Sequence, residues 1–352
     1  MHIPDGYLSP QTCAVGFAIA VPTIAIASRK VTKTVKARNV PTLAVLAAVS
    51  FITMMFNIPI PDGTTAHAVG GVLIAILLGP WAAIIAVSVA LLFQALLFGD
   101  GGVLAYGFNV TNMAIVLPVV GYTVYSLIAG SSSITSRRRV IAAGIAGYAG
   151  INAAAFATAI ELGVQPSLFH AADGTPLYAP YHLSNTIPAM MLAHLTIAGA
   201  AELILSAGVV AYLQRANLPL LMINNNVKSR TEIESSRKLS NPKVAAGIAL
   251  IVAALLTPLG LLAPGGAFGE DAPEDLNLKS LGLSTIPSGL KKWNEFWRHS
   301  IFDGYGVSGI NDNVGYVLSA FVGIAVIGLT VFILFSIINR LGNSVDKKES
   351  VR

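Results

Sequence analysis

The sequence predicts an all-α integral membrane protein: a seven-segment transmembrane helical bundle followed by two C-terminal transmembrane helices. Three observations predict it. The chain of 352 residues is 54% hydrophobic and only 11% charged, with a mean hydropathy of +0.70, far more apolar than an average soluble protein. Apolar runs near the roughly 20 residues that a helix needs to span a bilayer recur along its length. The positive charges lie between these runs rather than within them. Backbone in lipid must satisfy its own hydrogen bonds, and nothing alternates as a barrel strand would, so the spans are helices.

The runs fall at 10–28, 40–58, 67–79, 81–98, 106–130, 140–163, 186–213, 244–262 and 315–338. The first carries the small-residue pairs Ala14/Ala18 and Gly16/Ala20, which let a neighbouring helix approach closely. Arg29, Lys30, Lys33, Lys36 and Arg38 separate it from the second. The third is short for a full crossing and ends at Gly79-Pro80-Trp81, a tight turn into the fourth. A re-entrant pair is the alternative there, but two crossings preserve the charge pattern. Arg137, Arg138 and Arg139 follow the fifth run. Arg215, Lys228, Arg230, Arg237, Lys238 and Lys243 follow the seventh, and Arg340, Lys347, Lys348 and Arg352 close the chain. All these clusters share one side if nine segments cross, so the positive-inside rule predicts an outer N-terminus and a cytoplasmic C-terminus. Topology thus explains the net charge of +5, and nucleic acid is not an expected partner.

The domain expectation follows. Residues 1–213 form the compact bundle. Residues 214–243, polar and containing Asn224-Asn225-Asn226, read as a cytoplasmic linker. Residues 244–352 form a two-span tail around an outer loop of about fifty residues. That loop carries Pro264-Gly265-Gly266, an acidic run (Glu270, Asp271, Glu274, Asp275) and the aromatics Trp293, Phe296 and Trp297, suited to an interfacial belt or a short amphipathic helix.

The chemistry concentrates at the outer face. Met1 and His2 offer three nitrogens in one short chelate: the terminal amine, the His2 amide and its imidazole. One further donor completes a square, the geometry that suits Ni(II) and Cu(II). No apolar leader precedes them, so the expectation is that they persist in the mature protein. His67 stands in a Gly- and Thr-rich turn and is the candidate fourth donor. With His170, His182 and His299, five of the six histidines are expected on or near the outer face. The tetrapeptide Ile-Pro-Asp-Gly occurs at 3–6 and 60–63, beside both candidate histidines, as a turn sequence. Deprotonating an amide makes such a site pH-dependent, and a square disfavours Zn(II) and Mg(II). Each histidine alone is commonplace, His67 as an interfacial residue and His2 as part of a mobile chain end. Their pairing is what points to a metal.

Polar residues within or beside the spans come next. Asn109 and Asn112 share one helix face, and Asn57, Asn152 and Asn185 lie near outer ends. Their ordinary role is hydrogen bonding between helices; the functional one, for Asn109, Asn112, Asn57 and Asn185, is support of the donor set. His194 and Glu202, two helical turns apart, are about 12 Å from each other by the helical rise and read as coupling or structural residues rather than ligands. Gln94 and Glu161 read as structural or interfacial. The single cysteine, Cys13, excludes an internal disulfide or thiolate cluster. Phosphate-loop, His-Glu-x-x-His and Gly-x-Ser-x-Gly motifs are absent from the sequence, which removes the usual signs of ATP, zinc-protease or serine-hydrolase chemistry.

Met1-His-Ile-Pro-Asp-Gly-Tyr-Leu-Ser-Pro10 resembles the opening of the CbiM/NikM family, the substrate-capture components of cobalt and nickel energy-coupling-factor (ECF) transporters. Ala66-His67-Ala68, Leu78-Gly79-Pro80-Trp81, Asn109-Val-Thr-Asn112-Met and the His194–Glu202 stretch match further, so the resemblance covers 1–213. The tail at 244–352 is similar to the small two-span component that accompanies this family, here fused. The resemblance implies capture of Ni(II) or Co(II) as transported substrate through Met1 (amine), His2 (amide and imidazole) and His67 (imidazole). It also implies a transmembrane coupling subunit and two cytoplasmic ATPase subunits as partners, in a prokaryotic plasma membrane, with the tail helping to load or release the ion. Nickel is preferred because a deprotonated-amide square favours it. The competing readings are a membrane metalloenzyme built on His67 with His182 or His194, and a secondary metal transporter needing no ATPase.

Overall fold

The computed structural model describes residues 1–35, 37–60, 64–224, 242–263 and 266–349. Helix α1 (Pro10–Thr34) starts where Ser9 caps it, its Oγ accepting the Thr12 N–H at 3.0 Å, with Pro10 at the first helical position. Helix α2 (Val40–Met55) leads into a two-stranded antiparallel hairpin, β1 (Ile58–Ile60) and β2 (Thr64–Ala66). The following irregular stretch, 67–70, runs into α3 (Gly71–Leu78). Helix α4 (Pro80–Phe93) restarts after Gly79, whose φ of +92° few other residues adopt, and continues as a π-helical turn over Gln94–Phe98. Helix α5 (Tyr106–Asn109), a π-helical stretch (Val110–Val116) and α6 (Leu117–Ala129) make one rod.

Ser136 caps α7 (Arg137–Gly163), and a short α8 (Gln165–Leu168) follows. Helix α9 (Leu183–Ala193), a π-helical turn (His194–Ala198) and α10 (Gly199–Ala216) form a second interrupted rod, trailed by the one-turn α11 (Leu218–Leu221). In the tail, α12 (Pro242–Leu256) tightens to a 3-10 turn over Thr257–Leu262. The outer loop contains α13 (Ser288–Trp293), and α14 (Asp312–Glu349) closes the chain.

Seven helices among the described residues are long and apolar enough to cross a membrane. The other two expected crossings fall short of that length: the eighth run is the shorter apolar helix Ala246–Leu262, and the third is shorter still. Only 71–78 of the third run is helical, about 12 Å by the helical rise. The stretch before it, 67–70, has no regular structure and is buried in protein, where irregular backbone is tolerated. Its two ends lie at opposite faces. His67 sits beside His2, whereas Ala75 and Ile76 accept hydrogen bonds from Asn224 beyond α10, at 3.1 and 3.4 Å. Helix α4 then returns toward the face of His2, where Gln94 reaches Asp100 at 3.1 Å. The basic Arg29, Lys30, Arg38, Arg137, Arg138, Arg139 and Arg215 gather at the face of Gly79, opposite the N-terminus. Most of the linker (225–241), the second Ile-Pro-Asp-Gly turn (61–63) and Pro264-Gly265 lie outside the described residues.

Helices α3 and α4 are the buried centre, while Val15, Val21, Leu127, Ile204 and Leu255 face outward, as a lipid-facing surface requires. Helix α14 lies along α2, so close at Gly323 that a Cβ there would enter the Phe51 ring. Tyr316 Oη donates to the Met55 carbonyl at 3.2 Å. The loop between α12 and α14 meets the N-terminal segment, where Tyr7 Oη donates to the Asp271 carbonyl at 2.8 Å, and the stretch before α9, where Leu290 N–H donates to the Leu177 carbonyl at 3.0 Å. The loop's Trp297 docks by its indole N–H on the Leu96 carbonyl at 3.0 Å.

Candidate metal centre

The first seven residues are threaded into the bundle. Asn109 grips the backbone of Ile3 from both sides, its Oδ1 accepting the Ile3 N–H at 2.8 Å and its Nδ2 donating to the Ile3 carbonyl at 3.1 Å. The Gly102 N–H donates to the same carbonyl at 2.8 Å. Asp5 accepts the backbone N–H groups of Val103, Leu104 and Ala105 at 3.1, 2.8 and 3.2 Å. Burial raises its carboxyl above the usual range and these three bonds oppose the rise. The chain end therefore cannot fray as termini ordinarily do. Met1 and His2 are each only 3% exposed.

This threading brings the nitrogens together. The Met1 amine lies 2.7 Å from Glu270 Oε1, and His2 Nδ1 lies 3.1 Å from Asp100 Oδ1. The His2 and His67 rings stand 5.0 Å apart, tilted by 35°. Burial pushes the His2 imidazole down to about 4, against a smaller upward pull from Glu270, so it is neutral at physiological pH. The amine, the amide nitrogen and His2 Nδ1 are spaced along the chain so that they can close adjoining five- and six-membered rings on one ion. His67 Nδ1 lies 3.1 Å from the Ala68 carbonyl, which places the proton on Nδ1 and leaves Nε2 as a lone-pair donor. Nε2 of His67 is buried with no hydrogen-bond partner among the described residues, the condition of a group able to receive a ligand.

His67 is aimed from below. Glu202 accepts the Val69 N–H at 2.7 Å and the Gly70 N–H at 3.0 and 3.2 Å, while Ser50 Oγ donates to the Val69 carbonyl at 2.7 Å. Gly70 adopts a φ of +73°, which turns the chain from the irregular stretch into α3. His194 sits on the π-helical turn of the same rod as Glu202, its Nδ1 2.7 Å from the Met190 carbonyl and its Nε2 buried and unpartnered. It is near enough that His194 and the terminal amine both bear electrostatically on His67. Such turns interrupt helices at functional sites more often than elsewhere.

The other expected residues divide. Asn57 lines the cavity containing His2 and His67. Asn112 donates to Thr158 at 3.0 Å and Glu161 at 2.6 Å, tying the α5–α6 rod to α7 rather than touching a histidine. Asn185 is exposed at the start of α9, its Oδ1 accepting from Ser184 at 3.4 Å. His170, His182 and His299 are exposed and, among the described residues, do not join the cluster. Two acids and two neutral residues go beyond the sequence reading. Asp100 and Glu270 flank the chelate. Gln94, read as structural, donates to Asp100 at 3.1 Å and to Tyr305 Oη at 2.9 Å, and Tyr305 Oη also donates to Asp100. Tyr305 holds a φ of +63°, the one positive value outside glycine among the described residues. That strain is typical of sites whose surroundings enforce it. The only sequence trace of Asp100 is its setting, an acid among Gly99, Gly101 and Gly102; Glu270 is hidden in an acidic run.

Residues 2–220 match the CbiM family, described as a cobalt uptake substrate-specific transmembrane region. The fused nickel transport protein NikMN of Rhodobacter capsulatus is 50% identical over 339 residues, 93% of this chain and 95% of that protein. The probable fused nickel transport protein LarMN of Lactiplantibacillus plantarum is 43% identical over 331 residues, with the same shares covered. A crystal structure of a truncated transition metal transporter superposes with a TM-score of 0.57 at 56% identity, covering 60% of this chain and 98% of that one. The match to the family spans the bundle that holds the terminus, and the fused relatives extend it through the tail that supplies Glu270. The chain belongs to the CbiM family of substrate-specific transmembrane regions, in the form that carries the bundle and a NikN-like tail as one polypeptide.

Proposed function

We propose that this chain is the substrate-capture component of an ATP-driven ECF-type uptake transporter for Ni(II), with Co(II) as the second candidate. The ion is bound through the Met1 amine, the His2 amide and imidazole, and His67. The observation that carries the reading is the buried N-terminus: amine, His2 and a lone-pair His67 converge in one place and are held there by Asn109, Asp5 and Glu202. A buried chain end is a costly arrangement for a protein with no use for its amine. Ligation requires the ammonium and the amide to give up protons, so capture is linked to proton release and strengthens as pH rises. Four nitrogens in a plane select Ni(II) over the Zn(II) tetrahedron and the oxygen shells of Mg(II) and Ca(II).

Orientation follows from charge. The basic clusters share the face opposite the chelate, which puts the chelate outside and the C-terminus in the cytoplasm of a prokaryotic cell. The chain has no phosphate-binding loop, so hydrolysis belongs to two cytoplasmic ATPase subunits acting through a coupling subunit, and no catalytic activity is assigned to this chain. Radiolabelled Ni(II) uptake into vesicles tests the division of labour. Accumulation is expected only with the coupling and ATPase subunits and ATP, and is lost in His67→Ala. Accumulation by the chain alone contradicts the proposal and favours a secondary transporter.

A further inference from the structure

Helix α3 joins the chelate to the opposite face. All eight of its residues are buried, and His67 opens the irregular stretch that leads into its first turn. Its flank is packed tightly: a Cβ on Gly121 of α6 or on Gly150 of α7 would collide with Val72. A helix packed this closely is displaced as a unit rather than absorbed into its surroundings. Glycines with positive φ stand at both ends, Gly70 at +73° and Gly79 at +92°, so the backbone turns sharply on entering and on leaving α3.

Polar side chains from one part of the chain grip α3 at both ends. Near the chelate, Glu202 of α10 accepts the Val69 N–H at 2.7 Å and the Gly70 N–H at 3.0 and 3.2 Å. At the far end, Asn224 Nδ2 donates to the Ala75 carbonyl at 3.1 Å, the Ile76 carbonyl at 3.4 Å and Tyr122 Oη at 3.1 Å. Its Oδ1 lies against Gly79. Asn224 is brought there by α11, whose Leu218 and Leu221 are buried and which packs on α3. The last carbonyls of a helix have no partner within it, and Asn224 supplies a donor to them where they are buried.

We propose that Asn224, the first of three consecutive asparagines, is a positioning residue for the captured ion: by fixing the far end of α3 it keeps His67 at the chelate. The proposal rests on the capture reading above and adds to it the contact that sets how long the ion is held. Donor atoms must stay within about half an ångström of their working position to hold a metal well. Without Asn224, the Ile76 carbonyl loses a buried donor and α3 keeps only the grip nearest the chelate among those described here. The ion enters from the face opposite Asn224, so retention rather than entry depends on this contact. Asn224 is half-buried at the face on which the coupling subunit of the capture reading acts, so a partner that draws it away shortens retention.

Release is read as decay of the Ni(II) absorption band after the loaded full chain is mixed with excess EDTA. Asn224→Ala is expected to reach the native band, which also reports that it folds, and to load at the native rate. It is expected to release Ni(II) roughly tenfold faster, the lower end of the range for lost ligand support. Asn224→Asp keeps the side chain's size and removes its donors; it is expected to behave alike and serves where Asn224→Ala fails to load. Gln214→Ala unties the end of α10 from the Ile134 and Ser136 carbonyls at the same face and is expected to release at the native rate. Hydrogen exchange over 64–70 in the metal-free chain is expected to quicken in Asn224→Ala and not in Gln214→Ala. Native release by both Asn224 variants, equal acceleration in Gln214→Ala, or unchanged exchange over 64–70 overturns the role of Asn224. An absorption band that survives His67→Ala overturns the capture reading instead, and the exchange measurement still decides whether Asn224 holds the stretch that carries His67.

Discussion

Asn109 shows how much of the centre depends on one side chain that would touch no metal. It satisfies both polar groups of the Ile3 peptide in a buried setting. Asn109→Ala leaves the Ile3 N–H without its acceptor, a cost of about 1–3 kcal/mol. Calorimetry is expected to show Ni(II) affinity roughly ten- to a hundredfold weaker, in the range of lost ligand support, with an unchanged absorption spectrum; unchanged affinity contradicts the positioning role. His2 makes the docked terminus sensitive to acid. The free side chain titrates at 6.5 and the docked one at about 4, so between these values the released terminus takes up a proton that the docked one refuses. Docking is unaffected above pH 6.5 and loses about 3 kcal/mol as pH falls to 4. Labelling of the Met1 amine in metal-free protein, corrected for the reagent's own pH dependence, is expected to accelerate over that interval. Met1, His2 and His67 stood out in the sequence because few residue types chelate, and the fold brings the His2 and His67 rings to 5.0 Å. Glu270 was not, because acids in outer loops are common and only the folded tail brings residue 270 to residue 1.

Helices were legible as apolar runs, and their interruptions were not. Hydropathy is blind to whether backbone in a buried run is helical, so the third run looked like a short span although Gly70 and Gly71 mark where irregular backbone becomes helix. The π-helical turns at Gln94 and His194 left no mark either, yet they carry two of the side chains around the centre. The eighth run changes from α to 3-10 at Thr257-Pro258, which lets Gly260 pass directly over the Met55 carbonyl. The packing of α14 on α2 rests on an equally close approach at Gly323. Gly323→Val drives a side chain into Phe51, an overpacking cost of about 1–3 kcal/mol. In a chain cleaved within 225–241, the tail is expected to stay with the bundle and to separate in Gly323→Val. Gly328→Ala, with its nearest neighbour at 3.9 Å, is expected to retain it.

At the scale of the molecule, charge and chemistry lie at opposite ends. The basic clusters were readable in sequence because topology requires them between spans, and the fold gathers the described ones at one face. Which loop covers the terminus was not readable, since a fifty-residue connection has many ways to lie. The tail meets the terminus through Glu270 and Asp271 and docks on the bundle through Leu290 and Trp297, which gives bundle and tail one shared centre. We propose that this centre is an all-nitrogen square begun by the free chain end. X-ray absorption at the nickel edge of the loaded native protein tests it most directly. The expected spectrum is that of a four-coordinate planar Ni(II) with nitrogen neighbours only, lost when one Gly is placed before Met1. A six-coordinate spectrum with oxygen neighbours, or one unchanged by the added Gly, contradicts it.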